Sequence, residues 1–140
     1  MRVLLDTNVL VSALATRGLC ADLFRLVVAE HDLIVGEVVL EELRGVLSAK
    51  FRVPPERIAE VEELLRTHEV AVRPDAPDEV TVRDVDDAWV LATARAAKVG
   101  VLVTGDEDLL AVTGRLPFRI LSPRAFWGEV RDGARQGRVP

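Results

Sequence analysis

The stretch Met1–Leu10, MRVLLDTNVL, carries three apolar residues, Val3 to Leu5, that run directly into Asp6, Thr7 and Asn8 before apolar residues resume at Val9. A short apolar run closed by polar residues reads as a buried strand. The carboxylate at its end has two explanations. Aspartate suits a turn or the start of a helix. It also suits the rim where open parallel sheets bind ligands, beyond the carboxyl ends of their strands. A second stretch repeats the form: Val99–Asp106, VGVLVTGD, is the most strand-like run in the chain and again ends in aspartate.

Between and after these stretches, strands alternate with helices. Apolar residues at 20, 23, 24, 27 and 28 give Cys20–Glu30 helical spacing, and Leu33–Val35 is a second strand ended by Gly36. Glu37–Ala49 is helical, with Leu40, Leu43, Val46 and Leu47 on one stripe. Pro54 and Pro55 break the chain, and a helix follows over Glu56–His68 with Pro55 in its first turn. Val70 and Val72 alternate as a third strand. Arg73–Asp87 is a proline- and acid-rich loop in which Val80–Val82 has the composition of a strand fragment. Ala88–Lys98 is the next helix, with Asp86 as its expected N-cap. After the VGVLVTGD strand come a short helix in EDLLAV, an edge strand in FRIL, and a helix in SPRAFWGEV with Ser122 as N-cap. Strands separated by helices imply an α/β fold: a three-layer α/β/α arrangement around a parallel sheet of about five strands. The expected division is one domain over 1–131 and a flexible tail over 132–140.

Composition limits the function. The 140 residues suffice for one core, and no apolar run approaches the length of a membrane span. The start of the chain lacks the pattern of a signal peptide, which points to a cytoplasmic protein. Cys20 is the single cysteine and reads as a small core residue; His31 and His68 have no metal-ligand spacing and read as capping or surface residues. A net charge of −5 argues against general attraction to nucleic acid, though it leaves room for a local basic groove. All but Lys50 and Lys98 of the 18 basic residues are arginine.

The acids carry the chemistry. If the first strand and the VGVLVTGD strand are neighbours, Asp6 and Asp106 stand side by side, at a strand spacing of about 4.8 Å. Two such carboxylates repel unless a proton or a cation lies between them. On the helix Glu37–Ala49, Glu41 points away from the apolar stripe, whereas Glu42 falls at its edge against the protein body. Asp84, Asp86 and Asp87 precede the helix that follows them, where capping alone would also explain them. Asp6, Glu42, Asp87 and Asp106 are thus candidates from four segments. An all-oxygen set suits a hard cation, Mg²⁺ or Mn²⁺.

Four segments in this order, LLDTNVLVSAL (4–14), VVLEELRGVL (38–47), RDVDDAWVLATA (83–94) and VLVTGDEDLL (101–110), resemble the PIN-domain family, which includes the VapC-type toxin ribonucleases and their stand-alone relatives. The resemblance runs from Arg2 to about Trp127. It implies a five-stranded parallel sheet, one or two Mg²⁺ or Mn²⁺ ions, and hydrolysis of phosphodiester bonds in RNA, single-stranded or structured. It places Asp6, Glu42, Asp87 and Asp106 in the metal site, with Asp108 as an additional acid and Thr7, Asn8, Asp84 and Thr104 in support. It also implies a cognate antitoxin protein as a possible partner, and a homodimer to which the RAFWGEV helix could contribute. Arg17, Arg44, Lys50, Arg52 and Arg83 are candidate phosphate contacts, although each also reads as an ordinary surface charge. Two rivals stand beside this reading. A receiver-like domain would need an acidic pair after the first strand and a lysine after the last; here the first strand ends in DTN, and FRILSPRAF (118–126) has no lysine. A non-catalytic RNA-binding or protein-interaction domain on the same fold is the alternative from another class.

Overall fold

The computed structural model describes residues 1–135, with side chains as far as Asp132. Its strands are β1 (Arg2–Leu5), β2 (Asp32–Gly36), β3 (Glu69–Ala71), β4 (Val101–Val103) and β5 (Arg119–Leu121). They form one parallel sheet in the order β3-β2-β1-β4-β5. The helices are α1 (Thr7–Ala15), α2 (Leu19–Glu30), α3 (Glu37–Ala49), α4 (Pro55–Leu65), α5 (Val85–Ala96), α6 (Glu107–Leu110) and α7 (Pro123–Arg135). Crossovers between parallel strands are right-handed, so the outward run β1-β2-β3 and the return run to β4 and β5 send their helices to opposite faces. The three-layer α/β/α fold expected from the sequence is the one observed.

The sheet is the core. Val3, Leu4 and Leu5 of β1 and Val101, Leu102 and Val103 of β4 are essentially inaccessible, which is why both strands read as unbroken apolar runs. Leu23 and Val27 of α2, Leu40, Leu43 and Leu47 of α3, and Leu91 and Ala94 of α5 close over them. Each large apolar side chain so buried contributes about 1.5–3 kcal/mol. Gly36, at the junction of β2 and α3, lies where a Cβ would stand 2.9 Å from Thr93 Cγ2 of α5. That position needs the smallest residue for the helix to approach the sheet. Cys20 is half-buried against the core.

Several expectations change. The sequence reading has no helix at Thr7–Ala15, yet α1 begins directly after Asp6, with no loop between strand and helix. Val80–Val82 is not a strand. Its loop is fastened to α5 instead: the Asp78 N–H donates to Ala88 O, and the Asp78 carboxylate accepts from Val80 N–H and from Arg95. Helix α5 starts at Val85, and its N-cap is Asp84, not Asp86, because the Asp84 carboxylate accepts the Asp86 N–H. His31 is buried at the C-cap of α2, edge-on to Phe126, and is not a surface residue. Helix α7 continues to Arg135, into the segment expected to be a tail; residues 136–140 of that expectation lie outside the described residues.

Candidate active site

β1 and β4 are direct neighbours, in register Leu5 to Val103, and the Asp6 N–H extends their ladder by donating to Val103 O at 3.0 Å. The strand order reverses at this pair: the chain builds leftward from β1 and returns on the right at β4. A crevice beyond the carboxyl ends of strands at such a reversal is the usual ligand site of an open α/β sheet. Asp6 and Asp106 flank it.

Asp6 is 5% exposed, and both its oxygens are fixed. Oδ1 accepts from Thr7 N–H at 2.8 Å, which starts α1, and Oδ2 accepts from the Thr104 hydroxyl at 2.7 Å. Burial pushes the Asp6 carboxyl above its ordinary range; the bonds from Thr104 and Thr7 oppose this, and the charge of Asp106 adds to it. Thr104 in turn accepts the Asp106 N–H at 3.0 Å, so one buried hydroxyl ties the two strand ends together. Asp106 caps α6, with Oδ1 accepting from Asp108 N–H at 2.8 Å and Leu109 N–H at 3.4 Å. Capping and a shared site are therefore compatible. Asp106 caps with one oxygen and leaves Oδ2 without a bonded partner among the described residues.

Glu42 enters from α3. It is half-buried, and its Oε2 accepts from the Thr7 hydroxyl at 2.5 Å. Burial raises its pKa, the Thr7 bond lowers it, and Asp6, Asp86 and Asp84 raise it further. Glu41, one position away, points to solvent as the stripe predicts. Asp87, in the first turn of α5, has its carboxyl pushed up to about 7 by burial and then by Asp106, Asp6, Asp84 and Glu42. Asp87 thus feels the charges of Asp6, Glu42 and Asp106 together, alongside that of Asp84. Among the described residues no three of the acids converge as a ready-made metal cage. The acids repel one another, and among the described residues no basic side chain is bonded to Asp6, Glu42, Asp87 or Asp106. That donor set fits Mg²⁺ or Mn²⁺, which bind oxygen and, for Mg²⁺, retain several waters in place of direct ligands.

The remaining candidates separate by position. Thr7, Thr104 and Asp84 adjoin the cluster. Asp108 lies in the first turn of α6, and its charge is not among those acting on Asp6, Glu42 or Asp87. Asn8 is exposed on α1 and makes no described bond to the acids. Arg83 is exposed beside Asp84, and Arg17 is exposed after α1. Arg44 is paired with Glu62 of α4 at 2.9 Å. Lys50 caps the far end of α3, about 12 Å along the helix from Glu42, and Arg52 follows it beyond the helix, so α3 carries both away from the acid edge. Arg73, absent from the sequence-based candidates, lies at that edge. Its signal was available, since it follows the third strand as Asp6 and Asp106 follow theirs.

The family model for the PIN domain matches residues 2–108. The chain belongs to the PIN-domain family. Solved PIN-like structures of low sequence identity share its fold. VapBC2 from Rickettsia felis bound to a DNA fragment from their promoter aligns with a TM-score of 0.61 at 19% identity, covering 86% of this chain and 97% of that one. FitAB bound to an IR36 DNA fragment gives 0.60 at 19% identity, covering 86% and 94%. FitAcB from Neisseria gonorrhoeae gives 0.53 at 18% identity, covering 87% and 98%. A search of curated proteins by sequence found no match. Among the described residues, no helix of this PIN domain is long and apolar enough to cross a membrane.

Proposed function

We propose that this PIN domain is a metal-dependent endoribonuclease that hydrolyses phosphodiester bonds of single-stranded RNA. The observation that supports the reading is that Asp6, Glu42, Asp87 and Asp106, from four separate segments, lie near enough for Asp87 to be raised by the charges of the other three beside the strand-order reversal. Capping accounts for Asp6 and Asp106 singly but gives no reason for Glu42 and Asp87 to lie within reach of their charges. Asp6, Glu42, Asp87 and Asp106 would hold one or two Mg²⁺ or Mn²⁺ ions. When bound, the cation would polarise the phosphate and make the attacking water more acidic. The chain's own contribution is orientation. Thr104 and the Thr7 N–H hold both oxygens of Asp6, and the Thr7 hydroxyl holds Glu42, so two helices and two strands deliver fixed carboxylates.

We place the protein as the toxin of a toxin–antitoxin pair, or as a stand-alone nuclease of that lineage, acting in the cytoplasm. The likeness to VapBC2 and FitAB supports this placement. Purified protein should degrade single-stranded RNA with Mg²⁺ or Mn²⁺ and lose the activity in EDTA. Asp6→Asn should match the chelator. RNA cleavage that survives both treatments refutes the proposal.

A further inference from the structure

The crevice continues past the acids. Beside Glu42 opens a cavity of about 200 Å³ lined by Val38, Glu41, Glu42, Arg73, Asp86 and Trp89. Three of these residues are acids, and Arg73 is the one cation among them. Arg73 follows β3 at the same sheet edge as Asp6 and Asp106. Its guanidinium lies 4.4 Å from the centre of the Trp89 ring, a cation–π contact. Its Nη1 donates to Glu41 Oε2 at 3.1 Å, and among the described residues this is its one ion pair. Both partners are largely exposed, so the pair is weak and opens readily to a competing anion. The Trp89 contact is separate from the Glu41 pair, so the guanidinium has a second support that does not involve the carboxylate.

This arrangement answers an electrostatic difficulty. A polyanionic strand approaching several carboxylates is repelled, and a cation at the cluster relieves only the phosphate it touches. The adjoining phosphates need a second positive group, and an arginine fork suits phosphate oxygens. We propose that Arg73, seated on Trp89, is a substrate-positioning residue that binds a backbone phosphate of single-stranded RNA beside the one presented to the acids. The inference rests on the ribonuclease reading above. It also gives Trp89 the role of seating the guanidinium, with one ring face occupied by Arg73.

The test measures binding of a fluorescently labelled single-stranded RNA oligonucleotide by anisotropy in Mg²⁺, in an Asp6→Asn background so that the strand persists. Arg73→Gln should weaken binding about tenfold, the scale of one charge-assisted contact. The slope of log Kd against log salt should fall by about 0.7, the loss of one single-strand phosphate contact. Arg73→Lys, which keeps the charge without the fork, should preserve the slope and lose less affinity. Unchanged binding in Arg73→Gln overturns the inference. So does weaker binding with an unchanged slope, which would mark a purely structural role. If RNA is cut by wild type and bound by Asp6→Asn but Arg73→Gln binds equally well, the ribonuclease reading stands and this inference alone falls. If wild type neither binds nor cuts RNA, both fall.

Discussion

Asp87→Asn tests what the acid cluster costs the fold. In the native protein the Asp87 carboxyl is raised from 3.8 to about 7 by burial and by Asp106, Asp6, Asp84 and Glu42. A carboxyl with a higher pKa folded than unfolded binds its proton more tightly in the native state. Below about pH 4 both states are protonated and the group favours neither. As the pH rises from about 4 to about 7 the unfolded chain ionises first, so native stability falls, and above about 7 the deficit stays constant. At about 1.4 kcal/mol per pH unit, the interval sets a ceiling of about 4 kcal/mol. The carboxylate stands partly in solvent, and screening reduces this to about 1–2 kcal/mol. Urea unfolding in EDTA should therefore find Asp87→Asn more stable than wild type by about 1–2 kcal/mol at pH 8, with the gap closing toward pH 4. Asp6 and Glu42 are shifted in the same sense, and buried His31, pushed down by desolvation, in the opposite sense below its ordinary 6.5. His31 is common to both proteins and cancels in the comparison, while removing the Asp87 charge also eases the repulsion on Asp6 and Glu42, which adds to the gain of the variant at high pH. Millimolar Mg²⁺ at pH 8 should then stabilise wild type more than the variant. An Asp87→Asn protein no more stable than wild type at pH 8 in EDTA, or a gap that persists at low pH, refutes the reasoning.

Two further substitutions probe the frame of the site. Thr104→Val removes the buried hydroxyl that joins Asp6 to the Asp106 N–H; it should lower stability by about 1–3 kcal/mol by urea unfolding and reduce RNA cleavage, while Thr104→Ser restores most of both. Gly36→Ala drives a methyl against Thr93 and should cost about 1–3 kcal/mol. Thermal unfolding of Gly36→Ala with and without Thr93→Ala should recover part of that loss, and additive costs would place the strain elsewhere.

The sheet was legible because its strands are buried on both faces, so β1, β2 and β4 stand out as apolar runs without alternation. Three of the candidate acids were legible on physical grounds: the strand-end rule picks Asp6 and Asp106, and helical phase separates Glu42 from Glu41, whereas the choice of Asp87 among three neighbouring aspartates rested on the family resemblance. Helix α1 was hidden because Asp6 ends the strand and caps the helix at once, leaving no turn signal between Leu5 and Thr7. The start of α5 was misplaced because three nearby aspartates are all competent caps, and the choice of Asp84 rests on a loop held by Asp78 and Arg95 across the fold. Lys50 and Arg52, proposed as phosphate contacts, lie away from the acids for a directional reason, while Arg44 is paired with Glu62. A helix after a parallel strand runs back down the sheet, so basic residues late in α3 leave the edge where Glu42 sits. Arg73 becomes prominent only when Trp89, sixteen residues on, is folded beneath it.

The strand order has a consequence for synthesis. β1 emerges first and can pair at once with β2, but its other edge is completed only by β4, about a hundred residues later. Until then the growing chain exposes the flank of an apolar strand, an edge that invites misassociation. Over the same interval Asp6 and Glu42 have been made but Asp106 has not. The full set of four acids is therefore present only once β4 and the turn after it have been made, so a chain that ends before Asp106 lacks one acid of the proposed site.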